Sequence, residues 1–235
     1  MITKLILFSG IAGVTVFIGG ILAHYFNHHI KESPVKYEIT HTLMSFGSGI
    51  ILSAVALVLI PKGMEELELL PMVISFLVGA ILFMLLDQYL STKGGRTATL
   101  MAMMMDFVPE SIALGAVFAI DIRLATFLAV LIGLQNLPEA FNSYRELILS
   151  GFSTKKTMII FFLLSFFGIF GALIGHFILS SHQGLTAHLM TFSSGGILYL
   201  LIQDIIPEGK LEKNHLTSLG ATLGFLVGVI GDKLV

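Results

Sequence analysis

The sequence predicts an all-α, polytopic membrane protein with eight transmembrane helices, and three observations carry that prediction. The 235 residues are 55% hydrophobic and only 12% charged, with a mean hydropathy of +0.93. A soluble domain carries about 25% charged residues, so that class is excluded. Crossing about 30 Å of hydrocarbon takes roughly 20 helical residues, and apolar stretches of that length recur with short polar breaks. The 24 Gly and 19 Phe, without any Trp, are spread along the chain. That suits closely packed membrane helices, whereas β-barrel strands would alternate polar and apolar residues.

Taken in order, the spans fall near 5–26, 41–61, 72–90, 99–120, 124–147, 157–180, 187–206 and 217–234. They leave no room for a soluble domain, so residues 1–235 read as one transmembrane domain. The stretch Leu5 to Phe26 lacks a small-residue cleavage site, and with seven more stretches behind it reads as a retained span, not a signal peptide. Lys and Arg favour cytoplasmic loops. An extracytoplasmic N-terminus puts Lys31, Lys36, Lys93, Arg96, Arg145, Lys155, Lys156, Lys210 and Lys213 inside, nine against four outside (Lys4, Lys62, Arg123, Lys233). The expectation is a multi-pass cell-membrane protein, surrounded by lipid, with both termini extracytoplasmic. The acidic loop Glu65, Glu66 and Glu68 then lies outside, either simply solvated or concentrating cations. No Cys is present, so there is neither a disulfide framework nor a thiolate ligand, and soft-metal chemistry would fall to His or Met. The net charge of −2 offers no basic stripe for nucleic acid. Oligomeric state is open, a homodimer included.

The chemistry sits in two consecutive spans. In the fourth, MMMDFVPESIALG places Asp106 and Glu110 four residues apart, hence on one helix face about one turn from each other. In the fifth, GLQNLPEAFNSY repeats the device with Gln135 and Glu139, and Asn142 falls on the same face; Asn136 sits about 100° away. Charges at bilayer depth cost at least about 2.5–3.5 kcal/mol each and are normally paired, protonated or lining an aqueous path. These spans contain no basic partner at that depth. A cation would offset both desolvation and mutual repulsion, and protonation is the alternative. Pro109 and Pro138 additionally leave the carbonyls of Met105 and Leu134 without their helical donors, and freed backbone oxygens near the midplane are a recurring transporter device.

These two segments resemble the paired motifs of ZIP-family metal transporters, HNxPEG in the fourth span and HExPEG or QNxPEG in the fifth. The stretches FGSGIILSAVALVLIP and FSSGGILYLLIQDIIPEG are similar to the family's glycine-rich second and seventh helices. The resemblance implies a ZIP-like bundle that moves a divalent metal toward the cytoplasm, with Asp106, Glu110, Gln135 and Glu139 as ligands and Asn136 in reserve. Departures accompany it. Asp106 and Phe107 stand where the family has His and Asn, and Ser111 and Ala140 where it has Gly. DFVPES resembles a bacterial variant subgroup with Asp-Gly-Ile-Pro-Glu-Ser at this place. Gly168 takes the position of a Glu found in relatives with two metal sites, so one principal site is expected, and Ile51 replaces a Met ligand. The resulting donor set is mostly oxygen. Zinc is the family's usual cargo, while carboxylate and carbonyl oxygen also admit Mn, Fe, Co, Cd or Mg.

Other polar residues mark a candidate pathway: Asp87 in the third span, then Gln203, Asp204 and Glu208 at the end of the seventh. For Asp87, snorkelling to water is an equal account. His24, His28, His29 and His41 gather where the first span ends and the second begins, and His176, His182 and His188 lie toward the outside. Met101, Met103, Met104 and Met105 suggest either packing or a soft Cu(I) site, and adjacent Met point to different faces, which favours packing. Two other functions compete with transport. An intramembrane metal-dependent hydrolase would use similar acidic ligands and an activated water, with several core His that this sequence lacks. A transport-silent, metal-binding regulatory protein is the other.

Overall fold

The computed structural model describes residues 2–31, 33–93, 96–209, 211 and 215–234. Its spans are Ile2–His29, Pro34–Glu66, Leu69–Thr92, Met103–Ile120, Ile122–Leu149, Thr154–Leu179, Gln183–Ile205 and His215–Leu234, spans 1 to 8 below. The eight predicted helices are all present, most of them longer than the hydrophobic stretches that announce them. Local capping explains the extra turns. Ser33 accepts from the Lys36 amide at 3.1 Å with Pro34 in the first turn, starting span 2 ahead of its apolar stretch. Asp121 caps span 5 through the Arg123 and Leu124 amides at 2.9 and 3.1 Å. Gly151, with φ 88°, makes the turn between spans 5 and 6 that an L side chain would strain.

Spans 2, 4, 5 and 7 form the centre, with 61–67% of their most apolar windows buried, against 11% for span 3 and 22% for span 8. Span 1 packs on spans 5 and 6, and span 4 packs on both of these. On the other side, span 2 pairs with span 8 and span 3 with span 7. Outward-facing Leu, Ile and Phe on spans 3, 6 and 8 are exposed, as expected of side chains whose solvent is lipid. Eight apolar helices make this a multi-pass membrane protein.

Spans 2 and 7 are two copies of one design. Counting from Phe46 and from Phe192, glycine (Gly49, Gly195), Ile-Leu (Ile51-Leu52, Ile197-Leu198), proline (Pro61, Pro207) and a second glycine (Gly63, Gly209) recur in register. Each copy has a five-residue π-helical turn at the same place, Val55–Leu59 and Leu201–Ile205. The partners match too. A Cβ on Gly49 would strike the Ala221 carbonyl of span 8, and one on Gly224 the carbonyl of Phe46; a Cβ on Gly195 would strike Phe76 of span 3, and one on Gly79 Phe192. With no hydrophobic drive between helices in lipid, such backbone approach supplies the packing.

Candidate functional site

A cavity of about 170 Å³ lies among spans 2, 4, 5 and 7. Asp106, Gln135 and Glu139 line it, with Asn142 and Glu146 further along span 5, Ser48 and Ile51 on span 2, and Asp204 on the π turn of span 7. No Lys, Arg or His is among its described lining residues. Gly47 allows span 2 to approach closely, since a Cβ there would meet the Pro138 ring at 2.5 Å. Spans 4 and 5 run as continuous α-helices through Pro109 and Pro138.

Asp106 is buried, and its Oδ1 accepts from the Phe107 amide at 2.7 Å. Glu110, 1% exposed, accepts at Oε2 from Gln135 Nε2 at 2.5 Å, which ties span 4 to span 5. Glu110 Oε1 and Gln135 Oε1 are both buried without a hydrogen bond. Unsatisfied buried acceptors each cost about 1–3 kcal/mol, more when charged. The carboxylates of Asp106, Glu110 and Glu139 are close enough to repel one another, and Glu146 lies within reach of Glu139. Bare oxygens, crowded negative charge and no basic residue make an electrostatic sink for a cation. Among the described residues, no three His, Asp or Glu side chains converge tightly enough to hold a metal by themselves. Amide oxygen, from Gln135 above all, and water would complete a coordination sphere.

The remaining sequence candidates separate. Asn136 is turned away from the cavity, donating through Nδ2 to the Ala12 carbonyl of span 1 at 3.1 Å. Asp87 accepts from the Tyr199 hydroxyl at 2.9 Å, linking spans 3 and 7 outside the cavity. Gln203 is exposed, Asp204 lines the cavity, and the Glu208 side chain lies outside the described residues. His24 Nδ1 is 2.9 Å from the Tyr144 hydroxyl and its ring is edge-on to His28 at 4.5 Å. His29 bonds the Tyr25 carbonyl at 3.1 Å and His41 that of Tyr37 at 2.8 Å. Toward the other end His188 contacts Ser75 at 2.6 Å, while His176 Nδ1 is buried without a partner. Lys62 pairs with Glu65 and Glu66 at 3.0 and 3.4 Å on the last helical turns of span 2, so these two acidic residues end a helix and do not sit in the expected loop.

Sequence reasoning missed Glu146. Its signal was present, because Gln135, Glu139, Asn142 and Glu146 are spaced four, three and four apart and form one polar stripe. Phe107 and Gly168, both departures from the family pattern, fit each other. A Cβ at Gly168 would lie 3.1 Å from the Phe107 ring, so the phenyl group occupies the space that a larger residue on span 6 would need.

The protein-family model described as ZIP zinc transporter matches residues 96–231, more than half of the chain and all of spans 4 to 7. No curated protein matches it.

Proposed function

The chain belongs to the ZIP zinc transporter family, a family of divalent-metal transporters, and we propose that it moves a divalent cation, Zn²⁺ first, toward the cytoplasm through the cavity among spans 2, 4, 5 and 7, using the carboxylates and amides of spans 4 and 5. The observation that carries this reading is the pair of orphaned oxygens, Gln135 Oε1 on the residue that lines the cavity with Asp106 and Glu139, and Oε1 of Glu110, which is hydrogen-bonded to Gln135 behind that lining. A cation sheds part of its hydration shell for these oxygens, and the same contact relieves carboxylate repulsion. Asp106 in place of imidazole makes the donor set harder, which extends the cargo to Mn²⁺, Fe²⁺, Co²⁺, Cd²⁺ and Mg²⁺. The Phe107 ring over Gly168 favours one principal ion at a time.

Asp204 extends the acidic lining toward the end of the bundle that carries the loops between spans 1 and 2, 3 and 4, 5 and 6, and 7 and 8. Nine of the 13 Lys and Arg belong to that end, so it faces the cytoplasm of a cell membrane. Labelling in intact cells should then reach Lys4 from outside and Lys155 and Lys156 only after permeabilisation.

The deciding experiment is uptake into proteoliposomes across Zn²⁺, Mn²⁺, Fe²⁺, Co²⁺, Cd²⁺ and Mg²⁺. Glu110→Gln and Glu139→Gln should each reduce uptake of every metal about 100-fold or more, as expected when a buried charge-assisted contact of roughly 3 kcal/mol is removed. Undiminished uptake in both variants would sink the assignment.

A further inference from the structure

The mouth of the cavity holds chemistry that its deep end lacks. Along span 5 the polar stripe runs eleven residues from Gln135 to Glu146, about 16 Å at 1.5 Å per residue. There a second groove, of about 230 Å³, is lined by His41, Met44, Asn142, Arg145, Glu146 and Leu149. It shares Met44, Asn142 and Glu146 with the deep cavity, so the two are continuous along one helix face. We propose that His41, Asn142 and Glu146 form a second cation station at this mouth, where the ion meets its first nitrogen donor outside the oxygen-lined site.

The geometry of His41 supports the assignment. Its Nδ1 lies 2.8 Å from the Tyr37 carbonyl; a carbonyl oxygen only accepts, so Nδ1 carries the proton. In the neutral ring Nε2 then keeps its lone pair, the tautomer in which a histidine ligates metal with a backbone carbonyl behind it. The ring is 8% exposed and packs against Tyr37 at 4.0 Å between centroids, so its orientation is fixed. Asn142 Nδ2 donates to Glu146 Oε1 at 2.8 Å and holds the carboxylate as an outer-shell partner does. Arg145, exposed in the same groove, adds a positive charge there that opposes a cation. The station is therefore weaker than the deep site, as a stopping point on a conduction path has to be if the ion is to leave.

The proposal rests on the transport reading of the deep site, and one experiment separates the two. Equilibrium dialysis of the purified full-length protein with Zn²⁺ should find two ions per chain, one tight and one weaker. His41→Gln and Glu146→Gln should each lose the weaker ion and keep the tight one, which also shows that the variants are folded. Asn142→Ala should weaken it about 10–100-fold, the usual cost of removing an outer-shell partner. Glu139→Gln should do the reverse, losing the tight ion and keeping the weaker. Retention of the weaker ion in both His41→Gln and Glu146→Gln, its loss in a His24→Gln, His28→Gln double variant, or a single ion in the unaltered protein would overturn the second station. A tight ion that survives Glu139→Gln would overturn the deep-site reading instead.

Discussion

Span 2 and span 7 share a backbone and differ in what they hang on it. Both carry a π turn at the same distance from a phenylalanine and ahead of a proline, and both press glycines against the backbone of a peripheral helix. On span 2 the turn reads Val55-Ala56-Leu57-Val58-Leu59, with Val58 1% exposed; on span 7 Gln203 and Asp204 take the places of Leu57 and Val58. Asp204 lines the cavity, whereas Val58 is packed into the apolar core. The same π turn thus serves a packed apolar wall and a polar cavity wall. Its side chains decide which end of the bundle is wet.

The largest effects should come from breaking what the copies share. Gly49→Leu and Gly195→Leu each force a side chain into a backbone carbonyl on a neighbouring helix, where no flexible group can give way. Overpacking of that kind costs at least about 1–3 kcal/mol. Both variants should lose the monodisperse peak in size-exclusion chromatography, and a loss confined to one copy would break the equivalence.

Next in size is the exchange of what they do not share. Val58→Asp places a carboxylate in a dry, packed position and should lower stability by about 2.5–3.5 kcal/mol on insertion scales, seen as a lower melting temperature in detergent. Asp204→Val removes a charge from a wet wall, so stability should hold while initial uptake falls about tenfold, the equivalent of 1.4 kcal/mol. Equal stability losses in the two would mean that the cavity's polarity is not what separates the copies.

Smaller effects sharpen the chemistry of the site between them. Gly168→Glu alone should be poorly tolerated against Phe107, while Phe107→Asn with Gly168→Glu should fold and bind one more metal ion, counted by equilibrium dialysis. Asp106→His should raise the preference for Zn²⁺ over Mn²⁺ several-fold in competitive uptake, because imidazole is softer and removes one negative charge. Unchanged selectivity would place Asp106 outside the ion's path.

Much of this was legible in the residues. Lipid forces backbone hydrogen bonds into continuous helices, so eight apolar stretches become eight spans, and Asp106, Glu110 and Glu139 betray themselves by sitting where charge is expensive. Other features needed three dimensions. A π turn shifts the phase of a helix by one residue, but Val55–Leu59 is apolar on every face, so the shift left no trace in periodicity. Asn136 stood in reserve by resemblance, already about 100° off the face of Gln135 and Glu139, and span 1's Ala12 carbonyl shows where it turns instead. Glu146 went unremarked, although the spacing of Gln135, Glu139, Asn142 and Glu146 already pointed to it. Asp87 was read from depth alone, and depth says nothing of Tyr199 on another span.

The Phe107 ring also makes the site addressable by medicinal chemistry. It borders Gly168 and a small space lined by Val16, Met103, Met104, Asn136, Glu139 and Leu164. Phe107→Ala should cost about 3–5 kcal/mol and leave a void the size of the lost ring. Asn136 and Glu139 would admit water to that void, and a guest such as benzene would displace it against the Val16, Met103, Met104 and Leu164 wall. Because Glu139 lines the same space, a guest seated there would brace the helix that carries this proposed ligand. The variant's melting temperature and uptake should then rise together as benzene is titrated in, giving a transporter switched on by a molecule that the unaltered protein has no room to bind.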